Sequence, residues 1–322
     1  RRARGAGWVA AGAAALVLAL RVVAPALVVA APRTESRALT VGGRVRTYRL
    51  HHPAAWDPER PLPLVLAFHG HTATGRMLEY ESGLDDAADR AGVLVAYPDG
   101  VSRFPALARV PVVGAVLGGL SRTWNVGTCC APASTGGVDD VAFAAAVVRT
   151  LAAEGSVDRG RVYAAGFSIG GTLALMLACT RPGLVAAVAS VEGTMPDAAC
   201  AADRPTPVWL VRGGEDVDLR DDLDENREQG GGHRFAQSMR AALAFWGRRN
   251  GCTGPVVQRP GRLVATQAYA GCPDSLVAAL LLVHGNAHAW PGGRRPWLLA
   301  PHPAPDVPLA RWLLAYFTPR AR

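Results

Sequence analysis

The sequence predicts an α/β fold with a mostly parallel central sheet and helices on both of its faces. Short apolar runs such as 64–68 recur along the chain and are typical of strands buried on both faces. Longer segments of helical character separate these runs, and no internal repeat or linker divides the chain. Because half of the 322 residues are apolar, one domain over about 38–320 can bury a sizeable core.

The predicted elements begin with a hairpin over 39–52 that turns at Gly42 and Gly43. Strands are then predicted over 64–68, 93–97, 161–166, 186–191, 207–212 and 276–283. Helices are predicted over 84–91, 141–153, 169–179, 234–250 and 308–317. This alternation of buried strands with helices favours a parallel sheet covered on both faces.

Two segments interrupt the alternation. Residues 101–122 contain an apolar stretch broken by proline and glycine, which fits either a flexible lid over an apolar substrate or a buried loop. Residues 216–232 are acidic and glycine-rich, so we expect a mobile surface loop there.

The basic residues do not indicate nucleic-acid binding. All 34 are arginine, and the formal charge of +8 falls to +4 without the four arginines of residues 1–32. The remaining arginines are scattered between acids, with no basic run interleaved with aromatic residues. We therefore expect no nucleic-acid partner.

The N-terminal segment resembles a targeting signal. Arg1, Arg2 and Arg4 precede an apolar run, and a second apolar stretch ends in small residues at 29–31. This order is typical of a secretory signal peptide, here over residues 1–32. A permanent membrane anchor is the alternative, but Arg21 interrupts the apolar stretch and favours cleavage. We expect a secreted protein that meets the membrane only if this segment is retained.

The cysteines fit export to an oxidising compartment, and their spacing matches no zinc motif. The six are Cys129, Cys130, Cys179, Cys200, Cys252 and Cys272. We predict a disulfide between Cys252 and Cys272, which would tie the end of a helix to a following strand. We expect Cys129 and Cys130 to pair with different partners, because a vicinal disulfide strains the backbone.

The central motif is Gly-Phe-Ser-Ile-Gly at 166–170, the G-x-S-x-G pattern of a nucleophile elbow. Its glycines let neighbouring chain segments approach a tight strand-to-helix turn. In a chain with 36 glycines the pattern alone is weak, but a predicted strand precedes it and a predicted helix follows it. We therefore predict that Ser168 is a nucleophile.

A nucleophilic serine needs a general base, and the base needs an acid that orients it. We favour His288, in a loop after the last strand, over His284, whose side chain we expect to be buried near the strand end. Asp216 is the favoured acid because it follows the strand over 207–212. The alternatives to it are Glu215, Asp218, Asp221 and Asp222.

The oxyanion of the tetrahedral intermediate needs two N–H donors. One is expected from Ile169, directly after the nucleophile, and the other from His71 or Thr72 after the first central strand. His69 and His71 could suggest a metal site, but no third ligand lies near them in the sequence. We therefore expect no metal and no organic cofactor.

These motifs together resemble the secreted polyhydroxybutyrate depolymerase and feruloyl esterase-like family, which is related to the carbohydrate esterases. The resemblance runs from about residue 40 to residue 317. It is carried by residues 64–70, 124–130, 138–141, 161–171 and 288–292. It implies an α/β-hydrolase fold in which Ser168 is the nucleophile, His288 the base and Asp216 the acid.

The resemblance also implies that the amide of His71 binds the oxyanion and that Trp124 and Trp290 line the site, with Thr72 as a further substrate contact. The sequence departs from the family pattern before the acid. Relatives usually carry His-Gly-x-x-Asp, whereas this chain has Arg212 at the first position, and a charged, glycine-rich insertion follows the acid.

The resulting hypothesis is hydrolysis of carboxylic esters through an acyl-enzyme. Hydroxyalkanoate polyesters or oligomers and feruloyl or acetyl esters both remain open as substrates, and the apolar insertion slightly favours a polyester. A second hypothesis is a non-catalytic hydrolase-fold protein that binds cell-envelope components. The altered acid loop favours this alternative, while the presence of Ser168 and His288 opposes it.

Overall fold

The structure of the protein is a computed structural model, and six parallel strands form the centre of its fold. The structure describes residues 33–104, 121–127, 129–195, 200, 204–216, 228–229, 233–234, 239–273 and 276–320. The strands are β1 (Thr34–Val41), β2 (Arg44–His51), β3 (Leu62–Phe68), β4 (Leu94–Pro98), β5 (Val101–Ser102), β6 (Arg122–Thr123), β7 (Val157–Phe167), β8 (Ala187–Val191), β9 (Val208–Gly213), β10 (Glu228–Gln229), β11 (His233–Arg234), β12 (Val256–Arg259), β13 (Val264–Tyr269) and β14 (Ala278–Val283).

The main sheet has the order β1-β2-β4-β3-β7-β8-β9-β14-β13-β12. All neighbours from β4 to β14 pair in parallel, whereas β1 and β2 at one edge and β13 and β12 at the other pair antiparallel. The mostly parallel sheet is therefore confirmed. The sequence reading missed β12 and β13, whose residues are exposed or half-buried and lack the apolar run of a buried strand.

The helices are α1 (Gly75–Ser82), α2 (Leu84–Ala91), α3 (Asp140–Ala153), α4 (Ile169–Thr180), α5 (Met239–Arg249) and α6 (Leu309–Phe317). Helix α1 was not predicted. It begins where the Thr74 hydroxyl accepts a hydrogen bond from the Met77 N–H. The predicted helix over 234–250 is too long at its start, because Arg234 pairs with Glu228 in the small sheet of β10 and β11.

Strand β3 shows how the sheet separates two apolar cores. Leu64, Leu66 and Phe68 face one side, where they join buried residues of α3, α4 and α5. Val65 and Ala67 face the other side, where they join α1, α2 and α6. Because successive side chains of a strand point to opposite faces, one continuous apolar run serves both cores. Helices on both faces are thus confirmed.

The cysteines form three disulfides. The predicted Cys252–Cys272 pair is confirmed, and Cys179 pairs with Cys200. The expectation that Cys129 and Cys130 have different partners is wrong, since the structure joins them to each other. With the other four cysteines already paired, each of these two has only its neighbour as a partner.

Three predicted features fall outside the described residues: the N-terminal segment 1–32, most of the apolar insertion (105–120), and most of the acidic loop (217–227 and 230–232). None of the helices in the described ranges combines the length and apolar character needed to cross a membrane.

Candidate active site

Ser168 lies at the turn between β7 and α4, at the carboxyl edge of the parallel strands. Its φ of 53° and ψ of −126° belong to a sparsely populated region of backbone space. The turn is held by its N–H, which donates to the carbonyl of Val191 over 2.7 Å. A Cβ atom on Gly166 would collide with the carbonyl of Gly170, so the tightness of the turn requires glycine there.

Asp216 and His288 come together at the same edge of the sheet. Strands β9 and β14 are parallel neighbours, and Asp216 follows the first while His288 lies in the loop after the second. The Nδ1 atom of His288 is 2.7 Å from Oδ2 of Asp216. Asp216 is buried, whereas the His288 side chain keeps about a fifth of its surface exposed. An imidazole held in this way presents Nε2 as the atom that can accept a proton.

The imidazole of His288 also packs on Phe167, the residue before the predicted nucleophile, with 5.0 Å between ring centroids. This contact places the predicted base beside the turn that carries Ser168. The hydroxyl of Ser168 and His288 are not joined by a hydrogen bond among the described contacts. Such contacts are often long in an unliganded site and shorten with substrate. The serine–histidine step therefore stays a prediction.

Burial alone would raise the pKa of Asp216, but the hydrogen bond and charge of His288 and the charge of Arg212 lower it below its ordinary value. The guanidinium Nη1 of Arg212 lies 3.3 Å from Oδ2 of Asp216. Arg212 is the residue at which the sequence departs from the family pattern, and the structure places its charge beside the acid. Asp216 is thus kept ionised, as an orienting acid requires.

Two further residues at this edge were missed from the sequence: Glu192 and Asn286. Both are buried, Glu192 directly after β8 and Asn286 two residues before His288. The Nδ2 of Asn286 donates to Oε1 of Glu192 over 3.1 Å and to the carbonyl of Ala289 over 2.9 Å. A polar residue placed immediately after a buried parallel strand was the available signal for Glu192.

Glu192, Asp216 and His288 could together hold a metal ion, since one ligand atom from each lies within 4.8 Å of the others. The guanidinium of Arg212 already supplies a positive charge to both acids, at 3.3 Å from Asp216 and 3.6 Å from Glu192. A divalent cation at this point would be repelled by that guanidinium. The cluster therefore fits two acids beside one guanidinium better than a metal centre.

The loop expected to bind the oxyanion begins at His69, and the side chain of this residue holds the loop in place. The His69 side chain is fully buried, and burial lowers its pKa to about 4. Its Nδ1 pairs with the carbonyl of Gly70 at 2.7 Å, and its Nε2 accepts the N–H of Gly100 at 3.0 Å. A neutral imidazole therefore fixes the loop to the segment after β4.

The two candidate donors in this loop differ in their surroundings. The N–H of Thr72 donates to the carbonyl of Arg122 over 2.9 Å, and Thr72 has a positive φ of 63°. Its amide is therefore already used, which favours His71 of the two. The Nδ1 of His71 lies 2.9 Å from the hydroxyl of Thr123. Ile169 begins α4, so its N–H lies among the first-turn groups that have no partner within a helix.

The tryptophans expected to line the site are both buried. Trp124 is fully buried, and its Nε1 donates to the carbonyl of His69 over 2.8 Å. Trp290 is 2% exposed and packs in the core on the α6 side of the sheet. Trp124 therefore packs behind the predicted oxyanion loop and is hydrogen-bonded to it, and neither indole is exposed to solvent where it could contact a substrate.

The described alternatives to the favoured acid and base, Glu215 and His284, do not take part in the contact between Asp216 and His288. His284 is exposed, contrary to the expectation that it is buried. Glu215 is exposed and pairs with Nε2 of His302 at 3.1 Å. The remaining acids of the loop lie outside the described residues: Asp218, Asp221 and Asp222. Among the described candidates, Asp216 alone contacts His288.

Comparison with known proteins gives related sequences. The profile of the Dienelactone hydrolase family matches residues 131–242. The chain is 32% identical to "Putative esterase NocK" of Nocardia uniformis subsp. tsuyamanensis over 285 residues, which cover 84% of this chain and 77% of that protein. It is 26% identical to Feruloyl esterase B of Piromyces equi over 251 residues, covering 76% of this chain and 43% of the relative.

Among solved structures, the acetyl xylan esterase of Aspergillus awamori matches with a TM-score of 0.52 at 17% identity. The match covers 79% of this chain and 94% of that one. At this identity the likeness supports the fold, which is that of the α/β-hydrolases.

Proposed function

The chain belongs to the feruloyl esterase-like family of α/β-hydrolases, and from this premise we propose that it is a secreted serine esterase that cleaves carboxylic esters through an acyl-enzyme. The observation that carries the proposal is the 2.7 Å contact between Asp216 and His288 beside the nucleophile turn. An oriented imidazole next to a serine in a sharp turn is the arrangement that activates a hydroxyl.

In the first half of the reaction, Nε2 of His288 takes the proton from the Ser168 hydroxyl while Oγ forms a bond to the ester carbonyl carbon. The amides of His71 and Ile169 stabilise the resulting oxyanion. The C–O bond to the alcohol then breaks, and the alcohol leaves with the proton that His288 carries. Asp216 keeps the imidazole oriented and stabilises its charged form.

In the second half, water attacks the acyl-enzyme. His288 takes a proton from this water, the same amides hold the second oxyanion, and Ser168 leaves with the proton as the carboxylic acid is released. Each cycle thus restores the starting protonation of serine and histidine. Neither half needs a metal or an organic cofactor.

The substrate class is proposed from the relatives. Three relatives carry feruloyl esterase in their names, so phenolic esters such as methyl ferulate are the leading candidates. Acetyl esters come next, because a further relative is named an acetylxylan esterase/xylanase. Hydroxyalkanoate oligomers are a second candidate, favoured by the apolar insertion at 101–122. Secretion is proposed from the basic and apolar N-terminal segment and is consistent with the disulfides.

A fluorophosphonate probe tests the mechanism, because it labels an activated serine and spares an ordinary one. We expect labelling of the wild type, loss of labelling in Ser168→Ala, and unchanged labelling in Ser36→Ala, which alters an exposed serine of β1. Absence of labelling in the wild type would favour the non-catalytic, envelope-binding alternative.

The substrate is tested by release of product from p-nitrophenyl acetate, methyl ferulate and hydroxybutyrate oligomers, each compared with Ser168→Ala. Preference for methyl ferulate supports the leading assignment, and preference for the oligomers supports the second. Activity that survives the loss of Ser168 would refute the serine mechanism.

A further inference from the structure

Glu192 is a buried acid that lies beside the proposed triad. The proposed mechanism does not use it. It is 2% exposed and has a positive φ of 54° immediately after β8. Its two carboxyl oxygens have different surroundings. Oε1 accepts from Nδ2 of Asn286, whereas no N–H or O–H donor in the described part of the chain reaches Oε2.

A second carboxylate, that of Asp216, also lies close to Glu192. A carboxyl oxygen of Glu192 lies within 4.8 Å of a carboxylate oxygen of Asp216 and of a ring nitrogen of His288. The Nη1 of Arg212 is 3.6 Å from Oε2 of Glu192, beyond hydrogen-bond distance, and closer to Asp216 at 3.3 Å.

Charge decides the protonation of this pair. One guanidinium balances one buried carboxylate, and a second ionised carboxylate within 4.8 Å would be repelled by the first. Asp216 has both Arg212 and His288 as partners that favour its ionised form. We therefore expect the proton on Glu192, and burial together with the charge of Asp216 raises its pKa well above the ordinary value.

We propose that Glu192 is a positioning residue that, as a neutral carboxylic acid, donates a hydrogen bond from Oε2 to Asp216 and, through Asn286, holds the loop that carries His288. This inference rests on the proposed function, because the task of Glu192 is to fix the acid and the base of that triad. The arrangement adds a buried donor to Asp216 without adding charge to the site.

The groups that face Glu192 define the test. Arg212 and Asp216 face it from β9 and the turn after it, and Asn286 and His288 face it from the loop after β14. A glutamine in the same position can accept from Asn286 with its oxygen and donate to Asp216 with its amide. Glu192→Gln therefore reproduces the neutral acid, whereas Glu192→Ala removes both contacts.

The experiment measures kcat, KM and the pH dependence of kcat/KM in the wild type, Glu192→Gln and Glu192→Ala. Glu215→Gln is the matched control, since that neighbouring acid is exposed. We expect Glu192→Gln to keep kcat within about threefold and to leave the midpoint of the acid limb unchanged. We expect Glu192→Ala to lower kcat by about tenfold or more with little change in KM.

Three results would overturn the proposal. If Glu192→Gln moved the acid midpoint down by about one pH unit, a negative charge beside the imidazole would have been removed, and Glu192 would be ionised. If both variants lost activity equally, or both kept it, a neutral hydrogen-bond donor at position 192 would not be what positions Asp216. If dialysis against EDTA abolished wild-type activity and Zn²⁺ restored it, Glu192 would be a metal ligand.

A readout without substrate separates this proposal from the proposed function. The proton between His288 and Asp216 is expected to give a downfield ¹H NMR signal in the wild type and in Glu192→Gln, and to weaken or shift in Glu192→Ala. Should all forms lack esterase activity, this signal still tests the role of Glu192. Should Glu192→Ala fail to fold, Glu192→Gln and its pH profile decide the matter.

Discussion

The Nδ1 atom of His288 lies 2.7 Å from Oδ2 of Asp216, although 72 residues separate them in the chain. The contact exists because β9 and β14 are parallel neighbours whose carboxyl ends meet at one edge of the sheet. The loop after each strand therefore delivers one side chain to the same point. This contact sets the tautomer of the imidazole and leaves Nε2 directed to other partners.

Replacing the acid should remove the orientation of the base. In Asp216→Asn the amide cannot accept and stabilise the His288 Nδ1–H in the same way, so we expect kcat to fall by about 10³- to 10⁴-fold with KM little changed. Hydrolysis of p-nitrophenyl acetate measures the effect, with Glu215→Gln as the control. A fall of less than tenfold would show that another acid, such as Asp218, Asp221 or Asp222, orients His288.

The indole of Trp124 should matter to the oxyanion loop although it lies out of reach of solvent. Trp124→Phe removes the hydrogen bond to the carbonyl of His69, and we expect a loss of about 1 kcal/mol in unfolding free energy. Because that carbonyl belongs to the loop proposed to carry the oxyanion donor, kcat should fall several-fold as well.

The matched control for that variant is Trp56→Phe, since Trp56 is 39% exposed and remote from the loop in sequence. Denaturant unfolding and steady-state rates measure the two effects. A loss of stability without any change in kcat would contradict the idea that this bond positions the loop.

Glu81 should make stability fall as pH rises. It is buried in α1, and burial raises its pKa to about 8 from an ordinary value of 4.5. Between these values the folded protein keeps a proton that the unfolded chain has released, so the stability present below pH 4.5 is lost as pH rises through 8. The loss attributable to Glu81 is on the order of 4 kcal/mol.

Glu81→Gln cannot ionise, so its unfolding free energy should decline less than that of the wild type between pH 5 and pH 9 by about this amount. Denaturant unfolding at the two pH values measures the difference, and Glu59→Gln, an exposed site, is the control. Equal declines in wild type and Glu81→Gln would show that Glu81 is ionised at neutral pH.

The Cys252–Cys272 disulfide should stabilise the fold mainly by restricting the unfolded chain. It closes a loop with a sequence separation of 20 residues, for which loop-closure entropy gives about 3 kcal/mol. We expect the variant with serine at both positions to lose roughly this amount and to become insensitive to reductant at that site. Replacing Cys129 and Cys130, whose separation is 1, should cost much less.

Thermal unfolding with and without dithiothreitol measures the loss of stability in each of the two double variants. Equal losses from the two double variants would contradict the loop-closure explanation.

Local patterns were sufficient for the elements that position the site. A continuous apolar run such as 64–68 predicts a strand buried on both faces, and glycines around Ser168 predict the turn that exposes it. The chain order of nucleophile, acid and base then pointed to Asp216 and His288. The predictions of the sheet and of the turn succeed because each depends on neighbours in sequence or on the order of strands. The roles of Asp216 and His288 stay predictions, although the structure brings their side chains together.

The alternatives that the sequence left open needed contacts to decide between them. The residues alone left His71 and Thr72 both open as the oxyanion donor, and only the resemblance favoured His71. The structure supports the same choice, because the Thr72 amide is already bonded to the carbonyl of Arg122. Burial was likewise misjudged for Trp124, which was expected to face a substrate and instead lies under the loop. Such differences arise from packing between distant segments, which no local pattern encodes.

By itself, the sequence determined the parallel sheet, the turn at Ser168 and the order in which an acid and a histidine follow it. The tertiary structure alone decided which acid meets His288, and it placed Glu192 and Arg212 beside that acid. The physical reason is range: backbone preferences and apolar periodicity act over a few residues, whereas the charge and protonation of a buried carboxyl depend on every group that folding brings within a few ångströms.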